Sequence, residues 1–129
     1  MKRAWIRARS QTKTARLRRE CDRLFQEWIR GVFRGRCAKC GVPFGAAHHI
    51  MGKRFYHLRY ELRNGVYLCN LCHVHYAHAK PEAFLNWLKH ELPLHYKFYE
   101  DHRGDSEGTK LTSWYLDQRE VLKDKLGET

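Results

Sequence analysis

Cys37 and Cys40 form one C-x-x-C pair, and Cys69 and Cys72 form a second after 28 intervening residues. Thiolate sulfur is a preferred donor for structural Zn²⁺, which closes its shell as a tetrahedron, and two such knuckles supply four sulfurs without straining either turn. Free thiols or disulfides would use the same residues, but vicinal pairs in a chain without an export signal point to metal. Nested between and just beyond the knuckles are His48, His49, Asn64, His73, His75 and His78. Neutral imidazole binds divalent ions, and its pKa near neutrality lets it take a proton from water. The residue types therefore allow a closed thiolate site beside an imidazole site.

Positioning these groups falls to a short unit. Ala46 to Met51 reads as a strand, followed by a polar, basic loop, a second strand from Gly65 to Cys69, and a helix starting near Asn70. If zinc ties the knuckles together, the unit becomes a hairpin packed on a helix, with the strand-end histidines facing the helix start. Adjacent strand residues point to opposite sides, so His48 and His49 can hold different jobs.

The combination of His48-His49-Ile50, then Asn64 five residues before Cys69, then Cys69-x-x-Cys72-His73 resembles the HNH endonucleases of the zinc-stapled ββα-metal type. The run Leu58-Arg59-Tyr60-x-Leu62-x-Asn64-Gly65-Val66 and the Pro-containing helix after it are similar to phage recombination nucleases of the NinG type. The resemblance covers about Cys37 to Leu92. It implies an α+β fold with a small treble-clef-like ββα-metal core, stapled by Cys37, Cys40, Cys69 and Cys72 and flanked by N- and C-terminal helices. It also implies metal-dependent hydrolysis of DNA phosphodiester bonds, in phage-type recombination or DNA processing, with branched or flapped DNA as the substrate and simple nicking or a restriction role as open alternatives. His48 and His73 would bind the catalytic divalent ion, His49 would be the general base, and Asn64 would hold the loop and orient the base.

The third metal ligand departs from the resemblance. Related chains carry a third imidazole four residues beyond the closing histidine, where this chain has Ala77. His78 is the choice here and His75 the substitute. A five-residue step turns roughly 140° around an ideal α-helix, so His73 must sit at the helix cap for His78 to join it. An all-imidazole set suits Zn²⁺, Ni²⁺, Mn²⁺ or Co²⁺ better than Mg²⁺ on ligand hardness, although availability keeps Mg²⁺ open.

Charge supports a polyanionic partner. Of the formal net charge of +11 in 129 residues, +9 falls within Met1 to Arg36, where twelve Lys or Arg face three acids. A basic segment of this kind is the footprint of a nucleic-acid binder. Met1 to Thr14 reads as disordered until it meets phosphate. Lys53, Arg54, Arg59 and Arg63, interleaved with Phe55, Tyr56, His57 and Tyr60, read as the nucleic-acid-binding loop. No stretch is apolar enough to span a membrane, no secretory signal is visible, and reduced cysteines fit a cytoplasmic setting in a bacterium or a phage-infected host.

The expected organisation is residues 1–36 as arm and amphipathic helix, 37–92 as the metal core, and 93–129 as C-terminal loop and helix, all in one domain. Leu17, Cys21, Leu24, Phe25, Trp28 and Val32 lay an apolar stripe along the first helix, with Cys21 as core rather than ligand. The stripe is read as packing on the chain's own ββα unit rather than as a homodimer seam. Pro81 opens a helix that Pro93 stops, Leu94 to Tyr99 is a short strand or irregular, and a last helix starts near Ser113 with Tyr115, Leu116, Leu122 and Leu126 facing inward. Trp87 and Trp114 read as core. The alternative function is a non-catalytic zinc module that binds nucleic acid.

Overall fold

The computed structural model describes residues 12–108 and 111–127; most of the basic arm, residues 1–11, lies outside them. Helix α1, Lys13–Val32, starts at Thr12, whose hydroxyl accepts from the Ala15 N–H at 3.1 Å and satisfies a donor that the helix start leaves free. Its buried face is Leu17, Cys21, Leu24, Phe25 and Ile29. Val32, assigned to that face by spacing, is instead 45% exposed, because the chain turns away just beyond it through Arg34 (φ 57°) and Gly35 (φ 69°).

Strand β1 (Ala46–His49) pairs antiparallel with β2 (Gly65–Leu68), setting His48 opposite Val66 and His49 opposite Gly65. Both are shorter than their sequence patterns suggested. Met51 leaves the ladder for the side chain of Asn64, and Cys69 becomes the cap of the next helix. The intervening loop holds two 3₁₀ turns, Tyr56–Leu58 and Leu62–Asn64. Helix α2 is a single turn, Asn70–Cys72, that continues as a π-helical turn, His73–His78.

Helices α3 (Pro81–Glu91), α4 (Pro93–His102) and α5 (Thr112–Gly127) complete the chain. Leu94 to Tyr99 is therefore helical, neither strand nor irregular. Pro93 ends α3 as expected, but it also opens α4, since a proline in the first turn gives up only an N–H that would lack a helical partner. Leu92 caps both helices.

Helix α1 lies between the sheet and α5. Leu17, Phe25, Ile29, Tyr60, Tyr115 and Leu122 share one core, and Trp114 stacks on Tyr60 at 5.5 Å. The amphipathic stripe is thus covered from within the chain. A second core joins Val66, Leu68, Phe84 and Leu88 to the cysteine region. The result is an α+β fold, mostly helical, around a two-stranded sheet. No described helix is long and apolar enough to cross a membrane.

One close approach fixes the entry to β1. A Cβ at Gly45 would lie 2.5 Å from the Leu68 carbonyl oxygen and 2.8 Å from its carbon, both backbone atoms, whereas one at Gly52 meets nothing within 4 Å. Gly45→Ala should therefore cost about 2 kcal/mol through overpacking, and Gly52→Ala under about 0.5 kcal/mol. Urea unfolding of the two variants checks the contrast.

Candidate functional site

The first knuckle closes on itself. The Cys37 N–H donates to the Val42 carbonyl and the Gly41 N–H to the Cys37 carbonyl, both at 2.9 Å, with Gly41 at φ 81°, a conformation glycine adopts without strain. In each knuckle the N–H of the second cysteine points at the sulfur of the first, Cys40 to Cys37 at 3.5 Å and Cys72 to Cys69 at 3.4 Å. The Ala38 N–H donates to the Tyr67 carbonyl at 2.8 Å and ties the first knuckle to β2.

All four sulfurs lie within 4.8 Å of one another, and Cys40 and Cys69 are 3.6 Å apart at sulfur. A tetrahedral ion with metal–sulfur bonds near 2.3 Å needs sulfurs ~3.8 Å apart. Disulfides are absent from the set: each of these cysteines is free. Cys37, Cys40, Cys69 and Cys72 are positioned to bind a metal ion.

Acid–base behaviour fits that purpose. Although burial works against it, N–H groups of Cys40, Cys69 and Lys39 pull the Cys37 thiol down to about 6. Burial, and then hydrogen bonding with the neighbouring cysteines, pushes Cys72 up. Without a cation the cluster favours one thiolate and opposes the next.

The second cluster is His48, His73 and His78, whose candidate ligand nitrogens also lie within 4.8 Å of one another. His48 comes from β1 and is buried, while His73 and His78 come from the π turn. Five residues complete about one revolution of a π turn rather than the overshoot of an α-helix. That winding resolves the spacing difficulty: the two Nε2 atoms stand 2.9 Å apart, close to the ~3.0 Å between neighbouring ligands held at right angles with metal–nitrogen bonds near 2.1 Å. His75 is exposed and outside the cluster. Burial first, then the nearby His73 and His78, lowers His48 to about 3 and keeps its ring neutral, the state a metal ligand requires.

His49 has a different environment. Its ring lies 5.2 Å from that of Phe25, and its Nε2 is 3.0 Å from the Arg59 carbonyl. A carbonyl can only accept, so Nε2 carries the hydrogen and Nδ1 of the neutral ring keeps the lone pair. Burial lowers His49 to about 4, against the opposing effect of that carbonyl.

Asn64 is fully buried and holds both ends of the loop between the strands. Its Oδ1 accepts from the Met51 N–H at 2.6 Å, and its Nδ2 donates to the Met51 and Leu58 carbonyls at 3.0 and 2.9 Å. The bond that orients His49 comes from Arg59 and not from Asn64.

Arg59 was expected to face nucleic acid, and its placement differs. Its guanidinium donates twice to Asp22, at 2.9 and 2.8 Å, and again to the Lys53 carbonyl at 3.3 Å, with the residue buried. Lys53, Arg54 and Arg63 are exposed. Lys53 lines a cleft with the histidines; Arg54 sits 3.8 Å from Glu107, and the charge of Arg63 bears on His95.

Sequence reasoning missed two residues of α1. Asp22 is the anchor of Arg59 and also accepts from the Tyr60 hydroxyl at 2.6 Å. Gln26 pairs its amide with the outer edge of β1, accepting from the Ala47 N–H at 2.7 Å and donating to the Ala47 carbonyl at 3.4 Å. The only available signal was the scarcity of acids in a basic segment. Glu20, Asp22 and Glu27 each pair with an arginine: Arg119, Arg59 and Arg23 respectively.

No known protein family, curated protein or solved structure matches this chain. What the site can do therefore rests on its own geometry.

Two tests follow from that geometry. Asp22→Ala leaves a buried guanidinium without its partner, which should cost about 3 kcal/mol at pH 7. Burial alone would raise the Asp22 carboxyl, but hydrogen bonds from Arg59 and Tyr60 outweigh it and hold the group below its usual value. Its contribution is therefore present above the ordinary carboxylate pKa and lost as pH falls through the lowered folded value. Urea unfolding should show the gap between the two proteins closing below about pH 4. In the second test, cobalt(II) bound to the thiols should disappear in Cys72→Ser together with the fold. His78→Ala should keep that thiolate absorption and its helix content while binding one metal equivalent fewer.

Proposed function

We propose that this chain is a metal-dependent DNA endonuclease of the HNH kind, hydrolysing phosphodiester bonds in DNA processing of the phage-recombination type. The observation that carries the reading is the meeting of His48, His73 and His78 at one point of an open cleft, with His49 on the same strand holding a free Nδ1. Four cysteines already provide a closed site for a structural ion, best suited to Zn²⁺. A module that only bound nucleic acid would have no use for a second cluster, built of imidazoles.

A divalent cation held by His48, His73 and His78 would supply charge stabilisation at the departing sugar oxygen and partial neutralisation of the phosphate. The remaining work belongs to the chain. Nδ1 of His49 takes a proton from water as the water oxygen bonds to phosphorus and the bond from phosphorus to the sugar oxygen breaks. The Arg59 carbonyl fixes the His49 tautomer, and the Asp22 carboxylate fixes Arg59. Asn64 keeps the loop closed beneath them. Lys53 places a positive charge at the cleft, where it can draw in the phosphate.

One observation favours a second reading. The 2.9 Å between the Nε2 atoms of His73 and His78 also suits a plain hydrogen bond between the two rings, as a non-catalytic zinc-stapled binding module would have it. Cleavage assays on linear, flapped and four-way DNA with Mg²⁺, Mn²⁺, Co²⁺, Ni²⁺ or Zn²⁺ separate the two. His49→Ala should lower the cleavage rate by roughly 10²–10⁴-fold with DNA binding unchanged. Absence of cleavage by the unmutated protein on every substrate and ion would favour the binding module.

A further inference from the structure

Two clefts of about 370 Å³ each open on either side of the histidine cluster and share His48, His49, Gly52 and His78 as a common wall. Their chemistry differs. One carries Gln26, Lys53 and His73, and Gln26 also lines a third cleft, where Glu27 pairs with Arg23 and Arg30 leaves a net positive charge. The other is walled by Ile50, Pro81, Phe84, Leu85 and Tyr99. A polynucleotide alternates anions with flat apolar rings, so a strand whose phosphate lies at the shared wall places one neighbouring nucleotide on each side. The cationic side suits sugar and phosphate, and the apolar side suits a ring.

We propose that the cleft formed by Ile50, Leu85 and Tyr99 is a nucleobase-binding subsite, which takes the base of the nucleotide next to the phosphate held at His48 and His49, turned out of its stack. The proposal rests on the reading that this phosphate meets the histidines. The volume lies at the low end of the ~300–1,000 Å³ typical of small-molecule clefts, and it accommodates one base. Tyr99 is half-buried, with its ring tilted against Tyr96 at 6.1 Å, so its own position is braced and part of it remains open. Base-on-aromatic contacts tolerate any sequence, because every base has a flat face. A paired, stacked base cannot present that face, so the subsite selects strands that are unpaired at this nucleotide.

The test is a binding cycle carried out without added divalent ion, so that its readout does not depend on cleavage. Wild type and Tyr99→Ala are each titrated by fluorescence anisotropy against a short single-stranded DNA and against the same length bearing abasic sites, which has the same number of phosphates. Wild type should bind the abasic strand about tenfold more weakly. Tyr99→Ala should show the same weakening on the normal strand and little further loss on the abasic one. Its dependence of log K on log salt should be unchanged, whereas Arg30→Gln should reduce that slope by about 0.7.

Tyr99→Phe should bind like wild type. If Tyr99→Ala melts early, Leu85→Gln provides the same cycle. Equal wild-type affinity for normal and abasic strands, or equal losses on both in the variants, overturns the subsite. A cycle that closes as expected in a protein that cuts nothing leaves the subsite standing and removes the nuclease reading. Cutting that is indifferent to a missing base does the reverse.

Discussion

Four thiols confined within 4.8 Å set the constraint on which the rest depends. Thiolates that close repel one another, and backbone N–H groups compensate only part of that charge, chiefly at Cys37. A bound cation removes the conflict and at the same time fixes where β2 ends and α2 begins relative to the first knuckle. The hydrogen bond from Ala38 to Tyr67 aligns the same two segments before any ion arrives. Because β2 separates His48 from His73 in the chain while their rings lie 4.9 Å apart and His73 directly follows Cys72, the imidazole cluster inherits its geometry from the sulfur one.

Helix α1 acts on the same centre from the opposite side. Phe25 packs on His49, Gln26 occupies the free edge of β1, and Asp22 holds Arg59. A buried ion pair seldom adds much net stability compared with a well-packed apolar substitute. Here it has a positional effect, since the residue it immobilises offers its carbonyl to His49. The apolar packing of α1 on α5 and the orientation of His49 are therefore properties of one helix, and disturbance of either reaches the other.

The knuckles, both strands and the amphipathic first helix were legible because each depends on local pattern: the C-x-x-C pairs, two short runs set apart by a polar, basic loop, and three- and four-residue spacing from Leu17 to Phe25. His78, taken with His75 as its substitute, had a spacing that an α-helix does not explain, and the π turn is what brings it beside His48 and His73. What was not legible depends on tertiary partners. Arg59 resembled every other cation in its loop until Asp22, 37 residues earlier, was seen to meet it. Pro93 was read as an ending because a sequence does not reveal that a second helix can begin on the same residue. Val32 fitted its stripe but is the last residue of its helix, just before the backbone turns away.

The wide turn from His73 to His78 bears on how such centres can vary between proteins. An α-helical turn brings residues four apart onto one face, and a π turn does the same for residues five apart. One inserted residue, accommodated as a bulge, thus leaves the pair of imidazoles in register while altering their separation along the chain. Fixed-interval signatures would overlook such a chain, because winding and spacing together decide which side chains meet.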